Sequence, residues 1–336
     1  MAKRQLPTKL NNERLAELAA AKLRALVTEH LEIETAEAHR LGGGASVVAG
    51  GEGWIYFPTQ SPGVLGTAVI WANANSCNAI NLIVDDGAGE LAFAASAFAA
   101  PRPTIWEVSG RDMAVVEAQS PSIEPPPDCA ELTAIMVSVG LDVVADHGVW
   151  LGEINGLEVA RVGSREGGCA IDIGVGAYDQ FASAALTPED RDAAEALENV
   201  ISMVRPHRSA DSAPHALGRL VRSRWLRSQV VADPSIIGLD SLNPIPLLFA
   251  RPGLMETQPA AGLGATVDGA VALVTFTVGL DLGIAETTAG LAALHEPDEI
   301  IVVVPPRDRH QRIVDAVDAL SLPSRVIAIE GAWVSN

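Results

Sequence analysis

Three groups of side chains in this chain have the types and spacing to do chemistry. Glu153, Glu158 and Asp172 fall in strand-forming sequence. Carboxylates on neighbouring strands are the ligands that a hard cation such as Mg²⁺ takes, and a cation so held polarises phosphate and activates water. Asp281, Arg307, Asp308, Arg309 and His310 follow two apolar runs, residues 271–278 and 299–304. Ligands of open parallel sheets bind beyond the carboxyl ends of the strands. If the two runs are sheet neighbours, Asp281, Asp308 and His310 converge on one rim, and Arg307 and Arg309 suit a phosphate or carboxylate. Asp308 reads equally well as the N-cap of the helix that follows. The third group is basic: Arg205, Arg208, Arg219, Arg222, Arg224 and Arg227, with His207, His215 and Trp225, opposed in that stretch only by Asp211. A basic helix with an interleaved tryptophan can contact nucleic-acid phosphate. It can also pair with the protein's own acids. On an ideal helix Arg219, Arg222 and Arg227 share a broad face and Trp225 points away from it.

The carboxylates need a frame. The spacing predicts a helix over 130–139, strands over 141–145, 149–162 and 169–175, and a helix from Thr187-Pro188-Glu189-Asp190 to 204. The turns fall at Asp146-His147-Gly148 and at 163–168. This αβββα order resembles the core order of the restriction-endonuclease-like nucleases. The resemblance implies Mg²⁺ held by Glu153, Glu158 and Asp172. The family's Asp…Glu-x-Lys signature is absent, because Glu158-Val159-Ala160-Arg161 places an arginine one position late. Residues five apart on a regular strand face opposite sides. Glu153 and Glu158 therefore share a site only across a bulge, which Asn155-Gly156 could supply.

Two alternating segments flank this middle unit. The first has strands at 54–57, 79–84 and 104–108 with helices at 64–74 and 91–99. The second has strands at 271–278, 299–304 and 325–329 with helices at 283–294 and 309–320. Such alternation implies βαβαβ units on a mainly parallel, Rossmann-like sheet. Strand starts at Trp54, Ile80 and Thr104 match the spacing of Ala272, Ile300 and Arg325. An internal repeat and two ordinary units both accommodate that match. The expected organisation is an N-terminal helical segment (1–41), a βαβαβ unit (42–120), a proline-rich linker (121–127), the middle unit with an arginine helix at 216–231 (128–232), an extended connector (233–262) and a C-terminal βαβαβ unit (263–336). Gly42-Gly43-Gly44 lacks a preceding strand, and Thr59-Gln60-Ser61 and Asp85-Asp86-Gly87 read as turns or caps on the first rim.

The bulk properties exclude some functions. The 336 residues carry 42 acids against 23 Lys and Arg, a formal charge of −19. That surface repels nucleic acid and anionic membrane, except at the arginine cluster. Cys77, Cys129 and Cys169 lie far apart with no CxxC, which predicts reduced thiols and no disulfide framework. No nucleotide phosphate loop, nucleophile elbow or HExxH occurs. The basic N-terminus lacks an apolar run, so no signal peptide is expected. Residues 53–84 carry no charge, yet prolines and asparagines interrupt them and argue against a membrane span. The expectation is a cytoplasmic, non-catalytic ligand- or partner-binding scaffold that associates with itself or another protein and needs no identified cofactor. The alternative is a divergent Mg²⁺-dependent phosphodiesterase or nuclease-like protein.

Overall fold

The computed structural model describes residues 9–32, 37–58, 63–110, 112–166, 168–176, 193–209, 212–250, 254, 258–281, 283–331 and 333. Side chains are described from residue 14 onward. The chain is a mixed α/β protein with three sheets and, among the described residues, nine α-helices. None of these helices is long and apolar enough to cross a membrane. The chain divides into two compact units: residues 1–120, 282–296 and 311–322 form one, and residues 121–281, 297–310 and 323–336 the other.

The first unit begins with α1 (Lys9–Leu31) and continues through β1 (His39–Leu41), β2 (Gly44–Ala49), β3 (Glu52–Phe57), α2 (Val64–Ala74), β4 (Ile80–Val84), α3 (Ala88–Ala95), β5 (Pro103–Ser109) and β6 (Asp112–Val115). The sheet order is β1-β2-β3-β4-β5-β6, with β3, β4 and β5 parallel and the outer pairs antiparallel. Every residue of β4 is buried, as a central parallel strand covered on both faces requires. On one face, Ala19, Leu23, Leu26 and Val27 of α1 pack on Val47, Trp54 and Tyr56. Their helical spacing makes that stripe. Two helices from late in the chain, α8 (Ile284–His295) and α9 (Gln311–Asp318), also belong to this unit. The Leu65 amide at the start of α2 donates to Glu286 of α8 at 3.1 Å.

The second unit holds α4 (Ala130–Ser138), a meander of β7 (Asp142–Asp146), β8 (Val149–Ile154), β9 (Leu157–Arg165) and β10 (Gly168–Ile173), and α5 (Ala193–Val204). All pairs in this four-stranded sheet are antiparallel. Helices α4 and α5 bury Met136, Leu197, Ile201 and Val204 against Ile154, Ala160 and Val162. There follow α6 (Ala216–Arg219), α7 (Arg222–Ala232) and a sheet ordered β11 (Leu239–Ile245), β12 (Ala260–Thr266), β13 (Val271–Phe276), β14 (Glu299–Val304), β15 (Ser324–Ala328). Its first three strands are antiparallel and its last three parallel. Trp225, Leu226 and Val230 of α7 pack on Ala272, Val274, Phe276, Ile301 and Val303.

Several expectations change. Residues 149–162 are not one strand but a β8–β9 hairpin, so among the described residues the middle unit has four strands and not the three of αβββα. Ile154 pairs with Leu157 across Asn155-Gly156, whose φ angles are +45° and +75°. That is the two-residue asparagine–glycine turn favoured between twisted strands. A Cβ on Gly156 would run into the Arg224 backbone, so this position also needs glycine for close approach. The order shared with the nucleases is thereby lost. The single helix over 216–231 is broken: Leu220 is extended and Val221 left-handed, so Arg219 lies on one helix and Arg222 and Arg227 on another. The connector 233–262 contains a 3-10 turn (Pro234–Ile237) and β11. A register shift between Leu239 and Ser241, and a proline on this edge strand, hide its alternation. Gly42-Gly43 is a hairpin turn joining β1 to β2.

The cysteines also depart from expectation. Cys129, at the N-cap of α4, and Cys169, on β10, form a disulfide with Cα atoms 5.8 Å apart. A separation of 40 residues concealed their proximity. Cys77 is free and buried. The helix start at 187–190 and the loop Thr59-Gln60-Ser61 lie outside the described residues.

Candidate ligand cavity

The predicted acids share one face of the meander, and a bulge is what puts them there. Gly152 pairs with Ala160 while Glu153 pairs with Glu158, leaving Val159 as the extra residue. The bulge therefore sits inside β9, beyond the expected Asn155-Gly156, and restores Glu158 to the side of Glu153. Asp172, opposite Arg161, lies on the same face. Each acid meets a guanidinium. Arg224 Nη1 lies 2.5 Å and Arg227 Nη2 2.7 Å from the two oxygens of Glu153, and Arg224 Nη2 is 2.9 Å from Asp146. Arg161 donates to both oxygens of Glu158, and Arg165 to both of Asp172. Burial works to lower the Arg161 pKa and is the largest single effect, but the bond to Glu158 together with the charges of Glu158, Asp146 and Asp172 leaves it raised. Burial lowers Arg227 despite Glu153. Among the described residues, no three His, Cys, Asp or Glu side chains are placed to hold a metal ion.

The rim of the last sheet is tied differently. Asp308 is not an N-cap of α9. It ends a 3-10 turn (Pro306–Asp308) and accepts the Gly279 amide at 2.7 Å. Asp281 accepts from Thr277 Oγ1 at 3.5 Å, and the Thr277 amide donates to Val303. The loops after β13 and β14 thus meet, with Asp281 and Asp308 on one rim. Arg307, Arg309 and His310 are exposed, and Arg307 Nε is 3.8 Å from Asp308.

Beside this rim lies a cavity of about 580 Å³, lined by the α6–α7 segment from Pro214 to Ser223 together with Leu254, Gln258 and Val278. Its wall depends on Arg208, which is fully buried. Arg208 Nη1 donates to the carbonyls of Leu217 and Leu220 at 3.2 and 2.9 Å, and its guanidinium lies 4.3 Å from the Trp225 ring. Those carbonyls lie at the end of α6, where a cation is favoured, and the Leu217 carbonyl also accepts the Leu220 amide. Among the described residues no carboxylate is hydrogen-bonded to Arg208, and burial lowers its pKa to about 10. His215 stacks on His207 at 3.7 Å, and its Nδ1 accepts the Leu217 amide. Ser223 Oγ accepts the Val278 amide at 3.2 Å, tethering the start of α7 to the end of β13.

Three features at this wall lack a structural task that the described contacts explain. The N-terminus of α7 has no side-chain cap. Val221, a β-branched residue, is held at φ +39° and ψ +48°. Such strain persists only where surroundings impose it, and it clusters at binding sites. Gln258 Oε1 is buried with no hydrogen-bond partner.

Of the arginines singled out by sequence, Arg219 and Arg222 border the cavity, whereas Arg227 belongs to the buried ion network. Sequence reading missed Arg208, Val221, Leu254 and Gln258 as a group. The one local signal was the Ala-Pro-His stretch ahead of Ala216, which interrupts the arginine run. No family model, curated protein or solved structure matches the chain.

Proposed function

We propose that this is a non-catalytic binding protein and that the cavity at the end of β13 receives a small ligand. The observation that carries the reading is the combination at one wall. The volume of about 580 Å³ falls within the ~300–1,000 Å³ range of small-molecule sites. Leu217, Leu220, Val221, Leu254 and Val278 make the lining apolar, and Arg219 and Arg222 supply polar points. The hydroxyl of Ser223 and Nδ1 of His215 are already engaged in holding the wall. The alternative, a metal-dependent phosphodiesterase, draws on the shared face of Glu153, Glu158 and Asp172. It is disfavoured because those acids are engaged by guanidinium groups. The Rossmann-like character of the two parallel segments, self-association and a protein partner remain part of this proposal; the expected cytoplasmic location does not, because the Cys129–Cys169 bond argues for a more oxidising compartment.

The test is a thermal-shift screen of small molecules against the wild type and Ala216→Trp, which fills the cavity from an exposed lining position. The expected result is a ligand that raises Tm in the wild type only and is recovered chemically unchanged. Conversion of the ligand, or Mg²⁺-dependent phosphodiester cleavage abolished by Glu158→Gln, would overturn the reading.

A further inference from the structure

We infer that α1 is a homodimerisation helix, whose outward face pairs antiparallel with the same face of a second copy of this chain. The inference does not depend on the cavity; it rests on the self-association proposed above and assigns it a surface. Ala19, Leu23, Leu26 and Val27 turn α1 inward onto its sheet. On the opposite side Arg14, Leu18, Ala21, Ala25 and Glu29 are exposed and lie three or four residues apart, the spacing of one helical stripe. Leu18 is 59% exposed, and Leu15, one turn before it, 52%. Helix α7 differs. It too packs one side on a sheet, through Trp225, Leu226 and Val230, but the meander covers its other side, where Arg224 and Arg227 reach Glu153. The stripe on α1 is bare among the described residues.

Charge selects the occupant. The chain carries −19 overall, so two copies repel unless they meet where charge is balanced. From residue 14 to residue 32 it is: Arg14, Lys22 and Arg24 match Glu17, Glu29 and Glu32 in number. Their order matters more. A helix C-terminus disfavours acids, yet Glu29 stands in the last turn of α1, and Arg14 lies toward the other end. Neither has an ion-pair partner among the described residues. A parallel copy would set Arg14 beside Arg14. An antiparallel copy, about a twofold axis between Ala21 and Lys22, sets Arg14 against Glu29 at both ends, each ~11 Å from the axis, and Leu18 against Ala25. Lys22, nearest the axis, is already matched by Asp85 at 2.8 Å. A second copy supplies the whole complement by symmetry.

The experiment is sedimentation velocity of the full chain from micromolar to near-millimolar concentration, because one helix pair makes a small, weak interface. The wild type should form a dimer that dissociates on dilution. Arg14→Glu and Glu29→Arg each set like charges together at both ends and should weaken the dimer at least about tenfold, ~1.4 kcal/mol. Mixed with each other, these two variants should form a heterodimer, since every contact between positions 14 and 29 is then of opposite sign. The double variant should dimerise as the wild type does, and Leu18→Ser should weaken association. All three substituted side chains are exposed, and circular dichroism melts confirm that each variant folds. A wild type that stays monomeric throughout removes the surface and the self-association together. A dimer that ignores the charge swaps, or single variants that fail to pair when mixed, would overturn α1 as the interface and leave self-association standing.

Discussion

The α1-led and α7-led halves of the chain run through the same order: helix, three strands, helix, strand, helix, strand. In each, the first two strands pair antiparallel onto a third, which leads a parallel trio, and the leading helix lies on the early strands. They differ in what happens on the far side of the leading helix. The outward face of α1 carries Leu15 and Leu18, 52% and 59% exposed. Its polar ties are solvated: Glu17 pairs with Arg40 at 2.7 Å, and Lys22 lies 2.8 Å from Asp85 and 4.8 Å from the Tyr56 ring centroid, with all four of Glu17, Arg40, Lys22 and Asp85 more than one-third exposed. The outward face of α7 meets the meander, and there Arg224 and Arg227 reach Glu153 with all three side chains nearly inaccessible. One layout therefore supports two kinds of surface. Where a further layer covers the helix, its cations must be matched by acids from that layer, and the β9 bulge aims Glu158 at the same face.

Glu153→Ala would open the widest gap between the halves. It strands the buried Arg227 guanidinium and leaves Arg224 with Asp146 alone, and breaking such a buried set by removing one partner costs about 3–5 kcal/mol. Urea unfolding should show that loss, and the combined variant Glu153→Leu, Arg224→Met, Arg227→Met should recover most of it. A loss from the single substitution below about 1 kcal/mol, the scale of an exposed pair, would break the comparison. Lys22→Met in the other half should cost no more than about 1 kcal/mol by the same measurement, because its partner is solvated. The smallest effect concerns Asp142, whose carboxyl is pushed above its ordinary value by burial and then by Glu153. Between the ordinary and the raised value the folded state holds more protons than the unfolded one, so stability falls as pH rises through that window. Melting curves across pH 3–6 should show this decline in the wild type and not in Asp142→Asn, which should be slightly more stable at neutral pH. Parallel curves would mean that the Asp142 carboxyl is not raised in the folded state.

The parallel strands were legible because burial on both faces demands uninterrupted apolar runs: Ile80–Val84 and Glu299–Val304 follow that rule. The meander was half legible. His147-Gly148 was recognised as a turn, but Asn155-Gly156 was read as a bulge, since the apolar pattern continues through it with little change. β11 was hidden by its register shift and proline. The acids were found by type, and the partners of Glu158 and Asp172 lie close in sequence, yet the two guanidinium groups on Glu153 come from about seventy residues away, a separation at which spacing carries no information. The cavity was less legible still. It arises where a short helix stops, a valine adopts a left-handed conformation and a second helix starts, and neither Leu220 nor Val221 is a residue that marks such breaks.

The bond between Cys129 and Cys169 makes the backbone between them a covalent ring that contains α4 and three of the four meander strands. Closing a loop of that length restricts the unfolded chain by about 4 kcal/mol on a chain-entropy estimate. It also changes what a broken peptide bond does. Both tight turns, His147-Gly148 and Asn155-Gly156, lie inside the ring, so a protease that cuts at either leaves two backbone pieces still joined through sulfur. The nicked protein keeps its mass until a thiol reductant opens the ring, and only then do the N- and C-terminal pieces part.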